Sequence, residues 1–397
     1  MRHFDVAIIG TGHGGAQAAI QLRQLGFAGS IGLIGRECDT PYERPPLSKD
    51  YLAGEKSFER IQIRPRSFWE ERGIALVTGH EVTEVDPEAR RLNGEIGYGR
   101  LIWAAGGVPK PLTCPGGERA HVIRSRADVD RLRAALAGAR RIAVIGGGYI
   151  GLEAAAVLRK LGREVALIEA ADRVLSRVAG APLSRFVEAR HRAEGVDIRL
   201  GAAVGEIGAG HVRLAGGETV AADLVVAGIG IDAAAGPLLA AGAAGGNGVR
   251  VDGYCRTSLH GVYAVGDCAL HANRFAGGAE IRLESVQNAH DQANIAARHI
   301  VGIDQPYDSV PWFWSNQYDL RLQSVGLWLG HDEIVQRGDP ATGSFALVYL
   351  RQGRVIALDC VNATRDYAQG RKLVEQSVTA SAADLADISR PLKDLAK

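Results

Sequence analysis

The chain has 397 residues, too many for one ordinary core, and 46% of them are apolar, which fits a globular protein of two or three domains. A formal net charge of +1 provides no field for nucleic acid, and no apolar run approaches the roughly 18 residues of a bilayer span, so neither partner is expected. The five cysteines, Cys38, Cys114, Cys255, Cys268 and Cys360, show no C-x-x-C or metal-ligand spacing and read as reduced thiols with no metal.

The start, "MRHFDVAIIGTG", enters a strand pattern at once, without the apolar region of a signal peptide, so a cytoplasmic location is expected. Glycine numbers 51, against about 28 at average usage, which points to many tight turns and close backbone approaches. The first such turn follows a short strand at Val6–Ile9: Gly10-x-Gly12-x-x-Gly15 leads into an alanine-rich helix ending near Gly26. Glycines at those positions allow the turn, the approach of a pyrophosphate and close helix–strand packing, while the helix N-terminus offers N–H donors. The next strand, Ile31–Ile34, ends at Gly35, and the nearest acid is Glu37. Either Glu37 reaches back to a ribose or backbone groups serve instead.

Between this unit and the rest lies "PYERPPLSKDYL", with two prolines, Arg44 and Lys49, and no cysteine. The turn then recurs: Ile142–Ile145, Gly146-x-Gly148-x-x-Gly151, a helix to about Leu161, and a strand Val165–Ile168 ending on Glu169, 23 residues after Gly146. An acid there accepts from a ribose 2′-hydroxyl and repels a 2′-phosphate, so NADH is expected over NADPH, moderated by nearby Arg173. One isolated glycine turn is weak evidence, but two complete copies are unlikely to be coincidence. Further on, Val262–Val265 ends in Gly266-Asp267, placed to bond a ribitol hydroxyl. The stretch "SFALVYLRQGRVIALDCVN" reads as a hairpin turning at Gln352-Gly353, followed by a helix from Arg365 to about Val378.

The stretches "PYERPPLSK", "GGGYIGLEAAA", "VYAVGDCA", "RLESVQNAHDQA" and "VPWFWSNQYDLRLQSVG" make the chain resemble the two-dinucleotide-binding flavoprotein reductases, and more narrowly the NADH-dependent ferredoxin reductases of oxygenase systems. One departure is "AAGGVP", where the broader family tends to show T-G-x-x-P with a basic residue in place of Val108. The resemblance implies an α/β fold: two Rossmann-like, glutathione-reductase-like domains and a small C-terminal α+β domain. It places the FAD domain at 1–110 and 242–315, the NADH domain at 111–241 and the C-terminal domain at 316–397. It implies FAD contacts at Gly10, Gly12, His13, Gly14, Gly15, Glu37, Arg44, Pro46, Lys49, Ala105, Gly106, Asp267, Glu284 and Trp314. NADH contacts are implied at Gly146, Gly148, Tyr149, Ile150, Gly151, Glu169 and Gly230.

Catalytic roles fall to Lys49 near the flavin N5/O4 edge, to Glu153 paired with it, and to Tyr149 as a shutter over the nicotinamide side. For the pair, the plain alternative is a domain-bridging salt bridge; for Tyr149, an aromatic filling a gap; for Trp314, packing. With no thiol pair beside the flavin, electrons should leave directly from the ring, singly, to a [2Fe-2S] ferredoxin. An acidic ferredoxin would dock on a basic surface, either Arg60, Arg64 and Arg66 or Arg365, Arg371 and Lys372. A monomer is expected. Two other readings stay open: a reductase of rubredoxin or a small oxidant, and a redox-responsive flavoprotein binder.

Overall fold

A computed structural model describes residues 2–396. By density of internal contacts the chain forms two units. The first comprises 1–44, 58–108 and 231–311, and the second 45–57, 109–230 and 312–397. Segments 45–57 and 312–315, expected with the FAD-binding residues, thus group with the second unit, and 231–241 groups with the first.

The first unit is built on a parallel sheet in the spatial order Ile74–Thr78, Ile31–Gly35, Arg2–Ile9, Ile96–Trp103 and Val262–Ala264. Val6, Ala7, Ile8 and Ile9 are all buried, as a central parallel strand covered on both faces requires. The helix His13–Gln24 packs on Val286–Ile300. It ends where Gly26 takes φ +78°, a left-handed position that costs glycine little.

The second unit repeats the plan with a parallel sheet in the order Val196–Arg199, Glu164–Ile168, Arg141–Ile145, Leu224–Ala227 and His121–Val122. The helix Tyr149–Lys160 follows its glycine turn. The chain's last part is an antiparallel sheet in the order Trp312–Gln317, Leu320–Gly326, Arg354–Val361, Ser344–Arg351 and Glu333–Asp339.

The hairpin turns where expected, with Gln352 at φ +53° and Gly353 at φ +72°. Both central residues are left-handed, the arrangement that matches strand twist in a two-residue turn. The helix after it spans Thr364–Glu375 and stops before the expected Val378. Ser377 turns left-handed at φ +50°, and the Val378 N–H folds back to the Leu373 carbonyl at 2.9 Å. No helix among the described residues is long and apolar enough to cross a membrane.

Candidate active site

The two glycine turns divide their labour in the same way. A Cβ on Gly10 would lie 2.2 Å from the Ala104 carbonyl oxygen, and one on Gly15 would lie 1.8 Å from that of Gly10. In the second turn, Gly146 would meet Gly228 O at 2.5 Å and Gly151 would meet Gly146 O at 2.0 Å. These four glycines are required by backbone packing. At Gly12 and Gly148, by contrast, a Cβ would meet nothing within 4 Å. Both open positions cap the N-terminus of a 12-residue helix, where amide donors and the helix dipole favour a diphosphate.

Around the first turn, Gly14 is buried against Val265, Ala104 and Ala289, and the His13 ring lies 5.5 Å from that of His290. Ala105 and Gly106, the latter at φ +69°, follow the end of the strand Ile96–Trp103. Asp267 sits in the short turn Gly266–Cys268, where the Gly266 N–H donates to Gln292 Oε1 at 2.7 Å and the Asp267 carbonyl accepts from Arg282. Arg282 also reaches exposed Glu284 at 3.1 Å. The buried Thr40 hydroxyl has no hydrogen-bond partner among the described residues. An open diphosphate cradle, a hydroxyl with unmet bonding capacity and an acid beyond the fifth strand suit the adenosine and ribitol parts of FAD.

Glu37 is engaged by its own segment. Its carboxylate accepts from Tyr42 at 2.5 Å and from Arg44 at 2.6 Å, and the Arg44 guanidinium stacks over the Tyr42 ring at 4.3 Å. Burial works to raise the Glu37 pKa, but the charge and hydrogen bonds of Arg44 prevail and hold it below the usual range. Glu169 behaves differently: its oxygens accept from the Gly147 N–H at 2.5 Å and the Ala171 N–H at 2.8 Å, which fixes a carboxylate against the second turn. Arg173 is bound to the carbonyls of Ser176 and Ala179 and to the Ser184 hydroxyl. Ile150 is exposed at the start of the helix, and Gly230 adopts φ +102° beside Arg177.

The proline segment makes a short turn, Pro45–Ser48, whose Pro46 carbonyl accepts from the Lys49 and Tyr51 amides at 3.0 and 2.9 Å. That turn delivers Lys49 Nζ to Glu153 Oε2 at 2.6 Å. Glu153 is only 2% exposed, and a buried carboxylate needs both a counter-charge and hydrogen bonds. It obtains the bonds from Ser48 at 2.5 Å and Ser315 at 2.6 Å. Both Lys49 and Glu153 belong to the second unit. The two serines escaped the sequence reading. Their one visible trace is Ser315, a small polar residue in the aromatic run Trp312-Phe313-Trp314.

Tyr149 packs its ring on Phe313, at 4.6 Å between centroids, and Trp314 stacks on Trp312 at 5.5 Å. The Tyr149 hydroxyl reaches Ser324, and burial raises its pKa. Ser324 in turn donates to the buried Asp359 at 2.6 Å, and Tyr349 donates to the other Asp359 oxygen at 2.6 Å. Burial raises the Asp359 pKa as well.

All five cysteines are free thiols. Burial pushes Cys268 up to about 11 and also raises Cys255 and Cys360 well above the usual thiol range, so none of these three is poised as a thiolate. No cluster of potential metal ligands occurs among the described residues. Of the basic candidates, Arg66 pairs with Glu70 and Arg371 with Glu375, while Arg60, Arg64, Arg365 and Lys372 are exposed.

Two dinucleotide folds, each with one open glycine at a helix start, define a pyridine-nucleotide-dependent flavoprotein oxidoreductase. The chain belongs to the pyridine nucleotide-disulphide oxidoreductase family, whose model matches residues 4–293, and residues 312–396 match the reductase C-terminal family. It is 60% identical over 407 aligned positions to the 5,5'-dehydrodivanillate O-demethylase ferredoxin reductase subunit of Sphingobium sp. strain SYK-6, covering 100% of this chain and 99% of that one. It is 56% identical to a ferredoxin–NAD(P)(+) reductase of a Sphingomonas species, with 99% and 97% of the two chains covered. Among solved structures it matches the covalent putidaredoxin reductase–putidaredoxin complex with a TM-score of 0.95 at 36% identity, over 99% of this chain and 98% of that chain.

Gly148→Ala should leave folding stability within about 0.5 kcal/mol of wild type yet weaken NADH binding, whereas Gly151→Ala should lower stability by about 3 kcal/mol or more. Thermal unfolding and NADH titration separate the two. Unchanged NADH affinity in Gly148→Ala would refute the cradle.

Proposed function

We propose that the chain is an NADH-dependent, FAD-containing reductase that supplies single electrons to a [2Fe-2S] ferredoxin, and through it to a monooxygenase or ring-hydroxylating dioxygenase. The observation that carries this reading is the pairing of buried Glu153 with Lys49, which comes from a segment without cysteine. A charged group there serves a flavin directly, with no thiol pair as intermediary. The names of the relatives, reductases of ferredoxins and of an O-demethylase system, support the choice of acceptor.

Bound FAD supplies the conversion between a hydride and single electrons. For their part, the Gly10–Gly15 turn and the Gly266-Asp267 turn hold the FAD diphosphate and ribitol. The Gly146–Gly151 turn holds the nicotinamide nucleotide. Glu169 accepts from its ribose hydroxyl and repels a 2′-phosphate, while Arg173, tied to local carbonyls, is not offered to one. The Lys49 ammonium, held by Glu153 and its two serines, would supply a preorganised positive charge to stabilise the negative charge of a reduced flavin. Tyr149, the first residue of its helix, would be the aromatic group that shields bound flavin and gives way to the nicotinamide nucleotide. The exposed Arg365 and Lys372 on the helix Thr364–Glu375 are the assigned docking cations.

Anaerobic NADH should bleach the bound flavin at once, with sustained turnover only after a [2Fe-2S] ferredoxin and a terminal acceptor are added. A persistent long-wavelength band without ferredoxin-dependent turnover would instead indicate a redox-responsive binder. Glu169→Ala should lower the NADH/NADPH ratio of kcat/KM by about tenfold, the scale of one lost charged hydrogen bond. An unchanged ratio would remove Glu169 from the specificity site.

A further inference from the structure

Glu153 is the inner end of a line of hydrogen bonds that no step described so far requires. Ser315 Oγ bonds Glu153 Oε1 at 2.6 Å, and Gln317 Nε2 bonds Ser315 Oγ at 3.1 Å. His191 Nε2 lies 2.8 Å from Gln317 Oε1, and His191 Nδ1 lies 3.2 Å from the Tyr318 hydroxyl. Ser315, Gln317 and His191 are each at most 1% exposed, so these groups must satisfy one another. They come from one strand and from the helix Ala181–Ala193, both in the second unit.

The direction of the line follows from its charged end. An ionised carboxylate only accepts, so Ser315 gives its single proton to Glu153 and its oxygen receives the Gln317 amide N–H. The Gln317 oxygen then faces His191, which must present N–H at Nε2 and a lone pair at Nδ1 to the Tyr318 hydroxyl. Burial lowers the His191 pKa and favours this neutral form. The opposite tautomer would turn Gln317 around, set its oxygen against Ser315 and draw the serine proton away from Glu153. Every donor in the line therefore points towards the carboxylate, and aligned bonds of this kind strengthen one another.

We propose that His191 is a positioning residue: acting through Gln317, it commits the Ser315 proton to Glu153 and so fixes the Glu153–Lys49 pair for the flavin. The inference rests on the reading above that this pair serves bound FAD.

The test measures two quantities in purified holoprotein, the midpoint potential of bound FAD and the rate of its reduction by NADH. His191→Phe and Gln317→Met remove the line. Each should make the potential more negative and slow reduction about fivefold, the scale of one hydrogen bond. His191→Gln, which keeps an N–H for Gln317, should restore both values. In a Ser315→Ala background His191→Phe should add nothing, because the line is already cut.

Unchanged potential and rate in folded His191→Phe, or effects that add in the Ser315→Ala background, would overturn the proposal. If His191→Phe yields no folded holoprotein, Gln317→Met carries the same prediction. Lys49→Met, measured alongside, separates two failures. If it too leaves both quantities unchanged, the assignment of the pair to the flavin fails and takes the inference with it. If it alone moves them, only the role of His191 fails.

Discussion

A carboxylate buried to 2% exposure is the constraint around which the second unit is arranged. Leaving the Glu153 charge unpaired would cost about 3–5 kcal/mol. The chain therefore brings two separate stretches to the helix that carries it: Ser48 and Lys49 from the proline segment, and Ser315 from the strand Trp312–Gln317. Residues 45–57 group with the second unit while 58–108 group with the first, and these bonds are the local reason. Pro45 and Pro46 suit the task, since a rigid turn loses little further entropy in holding one ammonium in place.

The family's name refers to disulphides, yet this chain holds no disulphide, and three of its thiols are raised by burial. The dinucleotide folds and their glycine turns are kept, and the segment 41–52 carries Lys49 and no cysteine. A cation in the role proposed for Lys49 would stabilise charge on a bound flavin without becoming a redox station itself. That difference suits a single-electron acceptor.

Much of the fold was legible because its determinants are local. Gly10, Gly15, Gly146 and Gly151 mark turns that no side chain could enter, and the Gln352-Gly353 turn sits between two alternating strands. Helix ends were less legible: the helix after the hairpin stops at Glu375 because Ser377 adopts a left-handed conformation, which a serine does not advertise. Lys49 and Glu153 were found only through resemblance. Ser48 and Ser315 were missed because their partner lies 105 and 162 positions away, and His191 meets Gln317 across 126. Periodicity carries no information over such distances. Glu37 shows a further limit: spacing finds an acid shortly after the second strand but cannot foresee that Arg44 and Tyr42 engage it.

The most direct test of the central claim is stopped-flow reduction by NADH of Glu153→Gln, which keeps the shape and removes the charge. The account predicts FAD bound at full occupancy and reduction slowed by about tenfold or more, the scale of a lost charge-assisted bond. Wild-type reduction in Glu153→Gln, or loss of FAD with no change in the remaining holoenzyme, would contradict it.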